Sequence, residues 1–154
     1  MRYWLMKTEP GVFGLADLQA SPGQTTAWEG VRNYQARNFM QRDMTPGDRV
    51  LFYHSNANPS AVVATALVAS PAQPDLTALD PNSPYFDPRA TPENPRWYMV
   101  TVKLDQVLPR PVTLAQMRQV PALLGMLLLQ KGMRLSVQPV TPEEFQQVLA
   151  LGGL

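Results

Sequence analysis

At 154 residues the chain has the length of one domain, enough to bury roughly 68–70% of the surface its unfolded form would expose. Its 13 Lys and Arg against 12 Asp and Glu leave a net charge of +1, which excludes holding nucleic acid by bulk counterion release over a broad basic face, so any such site has to be local. The absence of cysteine excludes disulfides and thiolate metal sites, and the single histidine excludes a multi-histidine metal cluster.

No acidic run has the spacing of a calcium loop, so neither a metal nor a cofactor is expected. The opening MRYWLMKTEP lacks the apolar length and small-residue cleavage site of a secretory signal and reads as a first strand, Tyr3 to Thr8, closed by Pro10 and Gly11. Leu15, Ala16 and Leu18 suggest a short helical turn before a Ser-Pro-Gly break. The run TTAWEGVRNYQARNFM, Thr25 to Met40, then sets an indole, Trp28, beside amides and guanidinium groups at Arg32, Asn33, Gln35, Arg37 and Asn38. Stacking on an aromatic face combined with planar hydrogen bonding suits a nucleobase. A core tryptophan beside a solvated helix face accounts for the same residues. The spacing of Val31, Tyr34, Gln35, Asn38 and Phe39 predicts a helix over 31–41, with an apolar stripe diluted by amides.

A Pro46-Gly47-Asp48 turn leads to two strands, VLFYHS and AVVATALVA, parted by the loop Asn56 to Ser60. Seven of the 16 prolines fall between Ser70 and Arg96, where a regular ladder is impossible because each proline removes a donor. Tyr85 and Phe86 favour a packed excursion there. Arg96 to Val107 alternates as a strand, with Tyr98, Val100, Val102 and Leu104 on one face and Trp97, Met99, Thr101 and Lys103 on the other. Thr113 to Val120 has a Thr cap and helical spacing, Ala122 to Gln130 is a second short helix, and Leu135 with Val137 marks a last strand carrying Arg134 and Ser136 on its opposite face. Thr141-Pro-Glu-Glu-Phe opens a helix with a cap, a proline at its first position and acidic side chains at its positive end. The oiliest stretch, Ala122 to Leu129, is broken by Gly125 and falls far short of the ~20 residues that span a bilayer. These elements predict one α+β domain over residues 1–154, a small mixed β-barrel of about five to six strands flanked by short helices, soluble and cytoplasmic.

The phrases YWLMKTEP, WEGVRNYQARNF, GDRVLFYHSN, PRWYMVTV and RLSVQPVTPEEF, in that order, resemble the EVE domain family from Tyr3 to about Leu151. The resemblance implies a PUA-like barrel and a non-catalytic module that reads a modified base, of the 5-methylcytosine or 5-hydroxymethylcytosine type, in DNA or RNA. It also implies the site. Trp28 becomes a wall of the base pocket, Tyr53, Ser55 and Asn56 its neighbours at a strand end, and Asn33 the reader of the base edge. Lys7, Arg134 and Ser136 line the same cleft. Independently of the resemblance, Arg32 and Arg37 on the predicted helix are candidate phosphate contacts, and a solvated helix face explains them equally well. The expected partner is a nucleic acid carrying the modified base, bound by a monomer with no membrane involved.

Two other classes compete with this reading. An enzyme acting on a nucleobase could use His54 as a base for Ser55, yet alternation along a strand sets His54 with Phe52 and Val50, and Ser55 with Tyr53 on the other face. Asp75, Asp80, Asp87 and Glu93 could supply paired carboxylates, although proline-rich loops collect Asp as a turn former. The third class is a barrel that binds a protein partner. Trp4 and Trp97 are assigned mainly to the core, with a pocket position as the alternative for Trp97.

Overall fold

The structure, a computed structural model, describes residues 1–154. Its strands are β1 (Tyr3–Thr8), β2 (Thr25–Ala27), β3 (Arg49–His54), β4 (Ala61–Val68), β5 (Gln73–Pro74), β6 (Tyr98–Met99), β7 (Thr101–Thr113) and β8 (Val137–Val140). Its helices are α1 (Pro10–Phe13), α2 (Leu15–Ala20), α3 (Tyr34–Asn38), α4 (Leu114–Met117) and α5 (Pro142–Leu151). Six strands form one mixed sheet in the order β2-β7-β4-β3-β1-β8, while β5 and β6 pair separately.

The centre of this sheet is oily on both sides, which is why β1 and β3 read as continuous apolar runs. Trp4, Met6, Val50 and Phe52 point into an inner cluster, and Leu5, Leu51 and Tyr53 point into an outer one that α5 covers with Phe145, Val148 and Leu149. β1 and β3 run parallel, from Tyr3 opposite Arg49 to Thr8 opposite His54, and a parallel pair requires a long crossover. Residues 9–48 make that crossover, and on the way they lay β2 against β7 at the far edge of the sheet. Register shifts between Phe52 and Tyr53, between Val62 and Ala64 and between Thr65 and Ala66 bend the central strands. The sheet curls into a half-barrel, so that residues from the opposite edges, Thr26 of β2 and Ser136 just before β8, line one cavity.

Several local expectations are corrected. The helix begins at Tyr34, not Val31, because the Asn33 carboxamide accepts the Ala36 N–H at 3.0 Å and the preceding Gly30 has φ +83°. It continues through a wider turn, Phe39–Asp43, in which the Met44 N–H reaches the Phe39 carbonyl at 2.9 Å. β2, at Thr25–Ala27, is a strand that the sequence pattern does not predict. Residues 122–130 form two separate single turns, Pro121–Leu123 and Leu127–Leu129, instead of one helix. Leu123, Met126 and Leu128 all enter the outer core, and intervals of three and then two residues do not fit one helical face. The last strand starts at Val137, leaving Arg134, Leu135 and Ser136 in the loop before it. The strand expected over 96–107 divides into β6 and β7.

Trp97 fills neither the barrel nor a pocket. It packs with Ala78 and Ala90 in a small cluster inside the proline-rich excursion, donates its indole N–H to Asp87 at 2.8 Å, and stacks on Tyr34 with centroids 4.8 Å apart. The excursion is thus a packed body in which Asp75 and Asp87 serve as hydrogen-bond hubs.

α5 follows its sequence signature closely. Thr141 accepts from the Glu144 N–H at 3.1 Å while Glu144 accepts from the Thr141 N–H at 3.0 Å. The start of α2 is capped from a distance: His54 Nε2 accepts the Leu15 N–H at 3.1 Å, which requires a neutral ring with its proton on Nδ1. Burial pushes the His54 pKa below its ordinary 6.5. The unfolded chain therefore takes up the proton first, so the stability contributed by this cap is complete above about pH 6.5 and is lost as pH falls through the depressed folded value. A His54→Gln protein, whose side-chain oxygen accepts at any pH, is expected to show a melting temperature that changes less than the parent's between about pH 8 and pH 5. Parallel pH dependence in the two proteins would remove His54 from the account.

Candidate functional site

Trp28 sits directly after β2, where its backbone N–H continues the edge pairing by reaching the Val100 carbonyl at 2.8 Å. The ring meets Phe52 edge-on, with centroids 5.8 Å apart and planes at 84°, and retains 8% exposure. Trp4 and Trp97 spend their indole N–H groups on Asp48 and Asp87, whereas the Trp28 N–H has no partner within the protein and is not sealed from solvent. One wall of a cavity of about 530 Å³ is this indole, a size within the roughly 300–1,000 Å³ range of small-molecule sites.

Another part of the lining, Tyr85, comes from the excursion. Gly30 turns the chain at φ +83°, and Tyr85 approaches it so closely that a Cβ there would lie 2.7 Å from the phenol ring. Arg32 holds Tyr85 in place, with Nη2 donating to the Tyr85 carbonyl at 2.7 Å and Nε at 3.2 Å. Its Nη1 donates to Asp75 at 3.1 Å, and Asp75, fully buried, also accepts from the Gly30 N–H at 2.8 Å and the Thr77 N–H at 3.0 Å. A latch of Gly30, Arg32 and Asp75 thereby joins the Trp28 loop to the excursion. The remaining rim offers polar groups without side-chain partners in the protein, Thr26, Glu29 and Ser136, and the ammonium of Lys7, which donates to the Met133 carbonyl at 3.4 Å. Burial lowers the Lys7 pKa.

A second cavity, of about 570 Å³, opens on the other side of Lys7 and is lined by Tyr53, Ser55, Asn56, Ser60, Arg118 and the loop 128–134. The residues that sequence reasoning placed in one pocket are therefore divided. Trp28, Lys7, Arg32 and Ser136 line the first cavity, and Lys7, Tyr53, Ser55, Asn56 and Arg134 the second. The reason is the strand period of two: Phe52 faces the inner cluster with Trp28, and Tyr53 faces the outer one. Asn33 lines neither cavity and caps α3. Arg37 lines neither as well; it donates to the Arg96 carbonyl at 2.9 Å and lies 4.7 Å from the Tyr34 ring centroid. Arg32 borders the first cavity with all three of its nitrogens engaged by protein acceptors. Sequence reasoning assigns no site role to Tyr85, Glu29, Arg118 or Lys131, and only Tyr85 carries a signal, as an aromatic in a segment too proline-rich for a ladder.

The geometry offers little to acid-base chemistry. His54 Nε2 is committed to Leu15, its ring faces Phe52 at 5.8 Å, and Ser55 opens into the other cavity. No group of three or more His, Cys, Asp or Glu is placed to hold a metal ion, and no helix is long and apolar enough to cross a membrane.

A curled six-strand mixed sheet with a cavity bordered by residues from its two edges defines the class as a small half-barrel. The EVE domain model matches residues 2–151, and the chain belongs to the EVE domain family. Human thymocyte nuclear protein 1 is 40% identical over 165 residues, covering 97% of this chain and 73% of that protein. A solved structure of a hypothetical protein from Leishmania major has a TM-score of 0.92 at 43% identity and covers 99% of this chain and 94% of its own. The human THYN1 protein in complex with 5-methylcytosine-containing DNA has a TM-score of 0.93 at 38% identity, covering 100% of this chain and 99% of its own.

Proposed function

We propose that this chain binds DNA and takes one modified cytosine, flipped out or already unpaired, into the cavity between Trp28 and Tyr85 without converting it. The observation that carries the reading is the Trp28 indole, which borders a hollow large enough for a base and whose N–H has no partner within the protein. A relative of nearly the same shape was solved with 5-methylcytosine-containing DNA, which supports extending that partner to this chain. The rim is suited to a cytosine edge: the Glu29 carboxylate can accept from the exocyclic amine, and Lys7, Ser136 and the indole N–H can donate to ring nitrogen and carbonyl. Extracting the base costs a few kcal/mol, which stacking and these edge contacts offset.

The test titrates single- and double-stranded DNA and RNA carrying cytosine, 5-methylcytosine, 5-hydroxymethylcytosine or N6-methyladenine, and then weighs the recovered nucleotides. Retention that depends on the modification, with unchanged nucleotide mass, is expected. Trp28→Ala should weaken binding by about 5- to 150-fold, the equivalent of roughly 1–3 kcal/mol of stacking. A thermal melt of the variant guards against loss of fold, because Phe52 packs on the same ring. A mass change in the base would transfer the protein to the enzymes, and indifference to every oligonucleotide would end the reading.

A further inference from the structure

The second cavity lies outside the hollow assigned to the base, and it concentrates positive charge in a nearly neutral chain. Lys7, Arg118, Lys131 and Arg134 line it, and no Asp or Glu does. The five ion pairs of the protein use Arg2, Arg32, Arg49, Arg89 and Arg96, so none of these four cations is neutralised by a carboxylate. Tyr53 adds a buried hydroxyl beside Ser60 and close enough to Arg118 to feel its charge. Of the two cavities only the first is lined by acidic residues, Glu9 and Glu29, and the Glu9 carboxylate accepts at 2.9 Å from the amide of Asn56, which lines the second. Lys7 is common to both hollows, which makes them consecutive along one path over the end of β1.

We infer that the second cavity is a phosphate site that receives the strand backbone next to the base held at Trp28. This deepens the base-binding reading and rests on it for the identity of the strand. Backbone contacts of this kind position a strand without reading its sequence. The chemistry of the site is that of any phosphate, so a free inorganic ion is the alternative source that the experiment has to separate.

Arg118, Lys131 and Arg134 are all exposed, so replacing them together by Gln leaves the packed core intact. The experiment measures affinity of parent, triple-Gln and Trp28→Ala proteins for modified and unmodified single-stranded oligonucleotides across a salt series. The triple variant should bind every oligonucleotide more weakly by a common factor, keep the parent's ratio between modified and unmodified bases, and lower the log–log salt slope by about 0.7 for each phosphate that the protein no longer neutralises. Unchanged affinity and slope would overturn the inference. A parent that ignores base modification, with a slope that still drops in the triple variant, would refute the base reading while supporting the backbone site. Inorganic phosphate is titrated in parallel by NMR. If it shifts the Ser55 and Gly132 amides while the oligonucleotide slope is unaffected by the triple change, the site takes a free ion and the strand assignment falls.

Discussion

An Asp75→Ala protein should unfold about 3–5 kcal/mol more easily than the parent, the usual cost of stranding a buried charge partner. The carboxylate is fully buried and accepts from the Gly30 N–H, the Arg32 guanidinium and both the N–H and hydroxyl of Thr77. Its removal leaves those donors facing an apolar methyl group, and Arg32, 24% exposed, cannot turn fully into water while it holds Tyr85. Urea unfolding checks this, through a lower midpoint at an unchanged slope. A loss below about 1 kcal/mol would mean that the latch contributes little more than an exposed ion pair. Burial alone would push the Asp75 pKa up, but hydrogen bonds from Thr77, Gly30 and Arg32, together with the Arg32 charge, bring it below the usual 3.8. The stability it contributes is accordingly present above that pH and is lost only as the pH falls beneath it.

Gly30→Ala should damage stability and binding together. A methyl group there meets the Tyr85 ring at 2.7 Å on a backbone at φ +83°, so the ring has to shift to admit it. Left-handed backbone outside glycine costs on the order of 1–3 kcal/mol, and displacing the phenol removes a wall of the cavity. Gly47→Ala is the matched control, because Gly47 has φ +95° with nothing within 4 Å of a new Cβ. It should lose stability by the same backbone strain while binding modified oligonucleotides as the parent does. If both variants bind normally, Tyr85 has no part in holding the ligand.

Most of the scaffold was legible because its signals are local. β1 coincides with its apolar run, and Thr141, Pro142 and Glu144 specify the start of α5 within four residues. The site was legible only in outline. Trp28 stands out in the sequence because amides and guanidinium groups surround it, yet Asn33 spends its side chain on a helix cap and Arg32 finds Asp75 and Tyr85 many residues further along the chain. Local composition identifies a polar neighbourhood and cannot assign partners that only the fold brings close. The alternation that separates His54 from Ser55 also separates Phe52, and with it Trp28, from Tyr53. That division follows from strand geometry, but it becomes visible only when Trp28 is known to rest on Phe52.

The position of the first strand has a consequence for how the molecule is made. β1 lies between β3 and β8, and its second partner, Tyr3 opposite Val140 to Met6 opposite Val137, is supplied from far along the chain. During synthesis β1 emerges long before the segment that covers its second edge, so that edge stays open and oily until Val137–Val140 has been made. Closure is a late event set by sequence-distant pairing, and a message interrupted shortly before Val137 would yield a product prone to self-association.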